Sequence, residues 1–250
     1  MSKERITVTI PNILKTLAQP GDFVASGAAE IPLLRLAVDG VGLLGLPMNE
    51  PQVQALRAVA TDAPYARGKD TLIDPHVRSC KQIHASPVHT EDPKYLAILS
   101  EIVSCCAERL GVDGGVEAEL YKMLIYTEGD FFLEHRDTEK APRMFATLVV
   151  VLPSEHTGGE LIVRHGAREE RPTLSGVELD LLRWAAFYAD CKHELLPLRS
   201  GNRVALVYNL LRTHGPTLNA PDNSSVVDSL AKVLNTWGKK SGEPEKIVVP

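Results

Sequence analysis

From about residue 119 the sequence breaks into short apolar runs divided by turns: ELYKMLIY, MFATLVVVLP, ELIVRH, WAAFYAD and RVALVYNL. Each is of strand length and rich in β-branched and aromatic residues, which suit a pleated, half-buried surface. Strands in such close succession do not build βαβ units; they predict a sheet sandwich or barrel. Ahead of them the texture is mixed. The first forty-odd residues, interrupted at Pro20–Gly21, Gly27, Pro32 and Gly40, read better as short strands than as helices. Two helices follow. NEPQVQALRAVATDAPY opens on an Asn cap with Pro51 nearby and Gln52 three residues on, and Val53, Leu56 and Ala60 line one face. DPKYLAILSEIVSCCAERLGV has Asp92 as its cap, Pro93 in the first turn and Gly111 as its stop. Its Leu96, Leu99, Val103, Cys106 and Leu110 predict a buried stripe. Beyond the strands, SSVVDSLAKVLNTWGKK regains helical spacing, with Val226, Val227, Leu230, Val233, Leu234 and Trp237 on one side. The final KIVVP reads as a strand scarcely begun, either an edge strand or the start of a truncated further region.

A chain of 250 residues can bury a full core. The expected organisation is one domain over 1–214, with its core at about 119–212, and a helical extension over 215–250. The formal net charge of −5 gives no electrostatic footprint for phosphate backbones, which disfavours nucleic acid as a partner. There is no apolar run long enough to span a membrane, and the N-terminus lacks the apolar core of a secretory signal. Cys80, Cys105, Cys106 and Cys191 form no spaced framework and read as reduced thiols of a cytoplasmic protein. Packing is the expected role of Cys106 and Cys191.

Within FFLEHRDTEK, His135 and Asp137 are two residues apart. On an extended segment they point the same way while Arg136 faces the other. Alone, a His-x-Asp tripeptide says little, so its partners decide. His156 lies in a Gly158–Gly159 turn and reads as a solvated loop residue; His89, His165 and His214 offer no converging partner. His193 differs, because it follows the apolar strand WAAFYADC and precedes Arg203 by ten residues. Two histidines and one carboxylate on one face of an octahedron leave positions open, as non-haem Fe(II) oxygenases require. Arg203 supplies a permanent cation suited to bidentate carboxylate binding. It shares a strand face with Ala205, Val207 and Asn209, which leaves room for a bound acid.

The stretches YKMLIYTEGDFFLEHRDTEK, MFATLVVVLPSEHTGGELIVRH and FYADCKHELLPLRSGNRVALVYNL, about residues 121–210, resemble the 2-oxoglutarate- and Fe(II)-dependent dioxygenases, most of all the prolyl 4-hydroxylase type. The resemblance implies a mainly β fold with flanking helices (α+β), a double-stranded β-helix or jelly roll of cupin-like form, with the two helices before residue 111 buttressing its larger sheet. It implies Fe(II), 2-oxoglutarate and dioxygen as cofactor and cosubstrates, and hydroxylation with release of succinate and carbon dioxide. His135, Asp137 and His193 become the iron ligands, Arg203 the residue that binds the distal carboxylate of 2-oxoglutarate, and Tyr126 its assistant. Lys140 and Arg143, in the polar segment DTEKAPR beside the ligands, are candidates for a rim that contacts substrate. The collagen-type enzymes usually carry Lys at the position of Arg203, so this position does not assign the substrate. A protein or peptide, through its prolyl residues, is favoured over a small molecule. Two rival readings remain: a nucleic-acid demethylase of the same superfamily, which usually has a second Arg where this chain has Asn209, and a non-catalytic or zinc-binding jelly-roll module.

Overall fold

The computed structural model describes residues 6–17, 19–31, 34–67, 70–137, 141–176 and 178–237. Its helices are α1 (Ile6–Leu14), α2 (Glu50–Val59), α3 (Pro93–Arg109) and α4 (Ser224–Trp237). Two compact units are present. Residues 22–220 form the larger and hold the sheets; the described parts of 1–21 and 221–250 form the other, in which α1 packs with α4. The helix at 6–14 corrects the expectation of strands there. Its β-branched residues favour a strand only weakly, and packing against a second helix overrides that preference. Strands do follow, at Val24–Glu30, Leu36–Val38 and Gly42–Leu44. The expected strand at KIVVP lies outside the described residues.

In α4 the buried stripe is narrower than the composition implies. Val226 is buried, and Leu230, Val233 and Trp237 are half-buried at helical spacing, but Val227 and Leu234 are exposed. Each of those two sits about 100° around the helix from its buried neighbour. A similar shift marks α3, where Tyr95 is buried and Leu96 is exposed. Asn49 begins α2 with the predicted capping box through Gln52. Asp92 begins α3 by accepting from the backbone of Lys94 and Tyr95. At the other end of α3, Gly111 has φ +68°, its N–H donates to Glu108, and the Val112 N–H returns to Ala107, closing the helix as a glycine does best.

The large sheet runs, edge to edge, Val24–Glu30, Leu181–Tyr188, Met144–Leu152, Arg203–Arg212, Val116–Tyr126, Lys81–His84 and Thr61–Asp62. The small sheet runs Arg168–Glu170, Leu161–His165, Lys192–Leu195, Phe131–Arg136 and Arg78–Ser79. Neighbouring strands in both sheets pair antiparallel. Together the sheets make the mainly β, helix-flanked jelly roll that the resemblance implies, a form of the sheet sandwich that the strand pattern predicts. Along Arg203–Arg212, period-2 alternation assigns the two faces. Arg203, Val207 and Asn209 line a cavity, while Tyr208 points to the helical side and meets the Tyr95 hydroxyl of α3 at 2.7 Å. The Tyr188 hydroxyl donates to the Leu110 carbonyl at 2.7 Å, and Arg109 donates to Ser26. So α2 and α3 buttress the large sheet, and its other face is left to the site. All four cysteines are free; Cys106 and Cys191 are fully buried, as packing residues should be. No helix among the described residues is long and apolar enough to cross a membrane.

Candidate metal and carboxylate site

The strands that carry His135 and His193 are neighbours, and the two residues are direct partners in register. The pleat therefore puts both imidazoles on the same side of the small sheet, with ring centroids 4.1 Å apart. Asp137 follows two residues after His135, and its carboxylate lies 3.8 Å from Nε2 of His193. One ligand atom from each of His135, Asp137 and His193 falls within 4.8 Å of the others, a grouping that could hold a metal ion.

Each member is held in place by neighbours. Nδ1 of His135 is 2.8 Å from the Leu133 carbonyl, and Nδ1 of His193 is 3.4 Å from the Cys191 carbonyl. Such bonds put the proton on Nδ1 and leave the Nε2 lone pair for a metal. Thr147, reaching across from the large sheet, donates to Asp137 at 2.6 Å. Phe132 stacks on His135 at 3.5 Å, and Phe187 packs on His193 at 4.5 Å. A register irregularity between Phe132 and His135 lets residues three apart face the same side. Burial and the nearby His193 bring the pKa of His135 down to about 3. Burial also lowers His193, so both rings are neutral donors at neutral pH. For Asp137, burial alone would raise the carboxyl, but the two histidines and the Thr147 hydrogen bond outweigh it and lower it. Two neutral imidazoles and an ionised carboxylate are the protonation states in which these groups could hold a cation.

Across the cavity stands Arg203, 2% exposed. Its register partner is Tyr126, whose ring lies 5.5 Å from the guanidinium. No acidic side chain among the described residues pairs with Arg203, and its buried Nε has no hydrogen-bond partner. Burial lowers its pKa. A guanidinium in that state is costly unless a ligand anion completes it. Gly158 and Gly159 have φ +75° and +66°, and a Cβ on Gly159 would clash with Leu198 at 2.3 Å, so the turn packs closely against the neighbouring strand near Arg203.

The cavity, about 280 Å³, lies in the larger unit and takes in His135, Asp137, His193, Tyr126 and Arg203 together. The other expected positions fare differently. Lys140 lies outside the described residues. Arg143 is exposed, has φ +67°, and donates its guanidinium to the Thr213 carbonyl rather than bordering the cavity. Arg136, expected to face away, reaches the cavity mouth. His156 corrects another expectation: it is half-buried on a short strand, with Nδ1 at 3.1 Å from the Ser154 carbonyl, not solvated in a loop. Sequence reasoning missed Thr147, Phe187, Tyr121, Lys122 and Arg78. Thr147 and Phe187 are register partners inside largely apolar strands, and no spacing in the sequence relates either of them to the metal-binding residues. Tyr121 and Lys122 both border the cavity because the register of Val116–Tyr126 shifts between Leu120 and Lys122.

No family model matches the chain, and neither does any curated protein. Among solved structures it is similar to a prolyl-4-hydroxylase from Pseudomonas putida, at 18% identity and a TM-score of 0.46, over 83% of this chain and 99% of that one. It is similar also to a prolyl hydroxylase from Trichoplax adhaerens solved with a hypoxia inducible factor peptide fragment, at 15% identity and a TM-score of 0.47, over 82% and 88%. A third is an oxidoreductase of the 2OG-Fe(II) oxygenase family from Burkholderia pseudomallei, at 14% identity and a TM-score of 0.42, over 87% and 96%. Likeness this distant assigns no activity to the chain.

Proposed function

We propose that this chain is a 2-oxoglutarate- and Fe(II)-dependent dioxygenase that hydroxylates a substrate, with prolyl residues of a protein as the favoured substrate class. One observation carries the reading: a His-Asp-His grouping and a buried arginine without a carboxylate partner face each other across one cavity. The donor set suits Fe(II), since two imidazoles and a carboxylate need no thiolate and leave coordination positions open. The orphaned Nε of Arg203 suits the distal carboxylate of a dicarboxylic acid.

In this reading His135, Asp137 and His193 hold the metal, and Thr147 fixes the rotamer of Asp137 by its hydrogen bond. Arg203 receives the cosubstrate's far carboxylate, assisted by Tyr126. Iron and 2-oxoglutarate supply, when bound, the activation of dioxygen that places one oxygen atom in a C–H bond and releases succinate and carbon dioxide. The chain's own part is orientation and the exclusion of water. Phe132 and Phe187 pack on the imidazoles, and the buried rows of the large sheet close one wall of the site. The reading is tested by succinate release from 2-oxoglutarate with Fe(II), for wild type and His135→Ala. Release that depends on His135 supports it. Turnover indifferent to the substitution, or tight zinc binding with no affinity for 2-oxoglutarate, overturns it. Products bearing one added oxygen atom, sought by mass spectrometry in lysate treated with wild type or His193→Ala, then identify the substrate.

A further inference from the structure

Arg78 is a second buried arginine of the cavity, 6% exposed, on the edge strand of the small sheet. Its Nε donates to Sγ of Cys80 at 3.2 Å and one terminal nitrogen to the Pro64 carbonyl at 2.8 Å. A further hydrogen bond joins it to Tyr126, and its guanidinium lies 4.3 Å above the Phe132 ring. None of these partners is an acid, and no ion pair to Arg78 occurs among the described residues. Four more exposed arginines, Arg164, Arg168, Arg183 and Arg199, each have a carboxylate oxygen at 3.0 Å or closer, while Arg109, Arg143 and Arg212, outside the cavity, donate to backbone carbonyls. The whole cavity shares the imbalance. Arg78, Arg136 and Arg203 border it, and Asp137 is its one acid among the described residues. The chain is acidic as a whole, so this is a local choice.

If the proposed function holds, a metal dication and the cosubstrate dianion cancel, one cosubstrate carboxylate going to the metal and the other to Arg203. Asp137 then offsets a single cation, and Arg78 still lacks an anion. A buried guanidinium is expensive without one, and the ligand that fits its planar fork is a carboxylate. We propose that Arg78 is a specificity residue: the substrate carries a carboxylate near the carbon that is oxidised, and Arg78 receives it. The carboxylate has two possible sources, a small free acid or the side chain of an acidic residue beside the target in a peptide.

The test uses the full chain with Fe(II) and 2-oxoglutarate, without oxygen, and titration calorimetry. One pair of probes is N-acetyl-L-proline and its uncharged amide; the other is acetyl-Ala-Pro-Glu-amide and its Gln counterpart. The acid of at least one pair should bind about tenfold or more tighter than its neutral partner. Preference in the first pair alone assigns a free acid, in the second alone an acidic peptide. Arg78→Gln should erase the preference while weakening 2-oxoglutarate far less than Arg203→Met does, and Arg78→Lys should keep part of the preference. The wild-type comparison needs no variant to fold. The proposal is overturned if neither acid binds at millimolar concentration, if acid and amide bind alike, or if the preference survives Arg78→Gln. It is overturned also if Arg78→Gln weakens 2-oxoglutarate as Arg203→Met does, which would assign Arg78 to the cosubstrate. A wild type that binds neither Fe(II) nor 2-oxoglutarate fails at the earlier step, the dioxygenase reading itself.

Discussion

The small sheet treats charge in opposite ways on its two faces. Outside, Arg164 meets Glu134, Glu169 and Glu194, and Lys192 meets Glu134, all at 2.7 to 2.9 Å. Inside, His135 and His193 of the same strands gather with Asp137, while Arg78 on the edge strand and Arg203 on the facing large sheet have no acid partner among the described residues. Exposed pairs in water are nearly neutral in energy. Buried groups lacking partners are not, and a fold keeps them only where a ligand supplies what is missing. The contrast separates surface charge, which is paired and exposed to water, from buried charge that lacks an acid partner among the described residues.

The largest effect that would break this contrast is at Arg203. Arg203→Met should weaken 2-oxoglutarate by about 2–5 kcal/mol, roughly 30-fold to several thousandfold, by calorimetry. The same substitution should stabilise the ligand-free protein by about 1–3 kcal/mol in urea melts, because an unsatisfied buried cation is removed. Unchanged affinity or lower stability would mean that Arg203 is satisfied within the fold. Next is Thr147→Val, which nearly preserves shape but removes the donor to Asp137. Metal affinity should fall about 10- to 100-fold. Tyr95→Phe, far from the cavity, removes one of the two side-chain partners of the Tyr208 hydroxyl, Thr90 being the other, and should cost about 1 kcal/mol of stability without changing metal affinity.

On the outer face effects should be small. Arg164→Met should change stability by about 1 kcal/mol or less and leave 2-oxoglutarate binding as it was. Smallest is a pH effect at the rim. The Asp39 hydrogen bond holds His89 above the ordinary histidine range. A pKa raised by folding stabilises fully below the unfolded value, about 6.5, and the gain disappears as pH rises through the raised value. The melting-temperature gap between wild type and His89→Gln should therefore be widest at mildly acid pH and vanish in alkali.

Much of the candidate site was legible because it rests on spacing. A strand places residues two apart on one side, so His135 and Asp137 could be paired from the sequence, and the alternation that exposes Arg203 to the cavity could be read in RVALVYNL. His193 stood out by its place between an apolar strand and that arginine. What could not be read depends on pairing between distant strands. Arg78 lies in a two-residue strand within HVRSCK that carries no periodic signal. Thr147 is one polar residue in an apolar run, and only its register opposite Phe187 and Asn209 brings it over Asp137. The helix at 6–14 was hidden for a related reason: its residues prefer strands locally, and only the α4 partner makes a helix the better burial.

The sequence by itself therefore determined the mainly β class, the caps of α2 and α3, and which residues of a strand share a face. These follow from local geometry, with periods of 2.0 and 3.6 residues and the φ preferences of Asn, Pro and Gly. Tertiary structure alone decided which strands adjoin, where the register slips at Leu120 and Phe132, and which charges are left without partners. Those depend on burial and on neighbours far apart in the chain. It is there, in the two buried arginines, that the site's demand for anions is written.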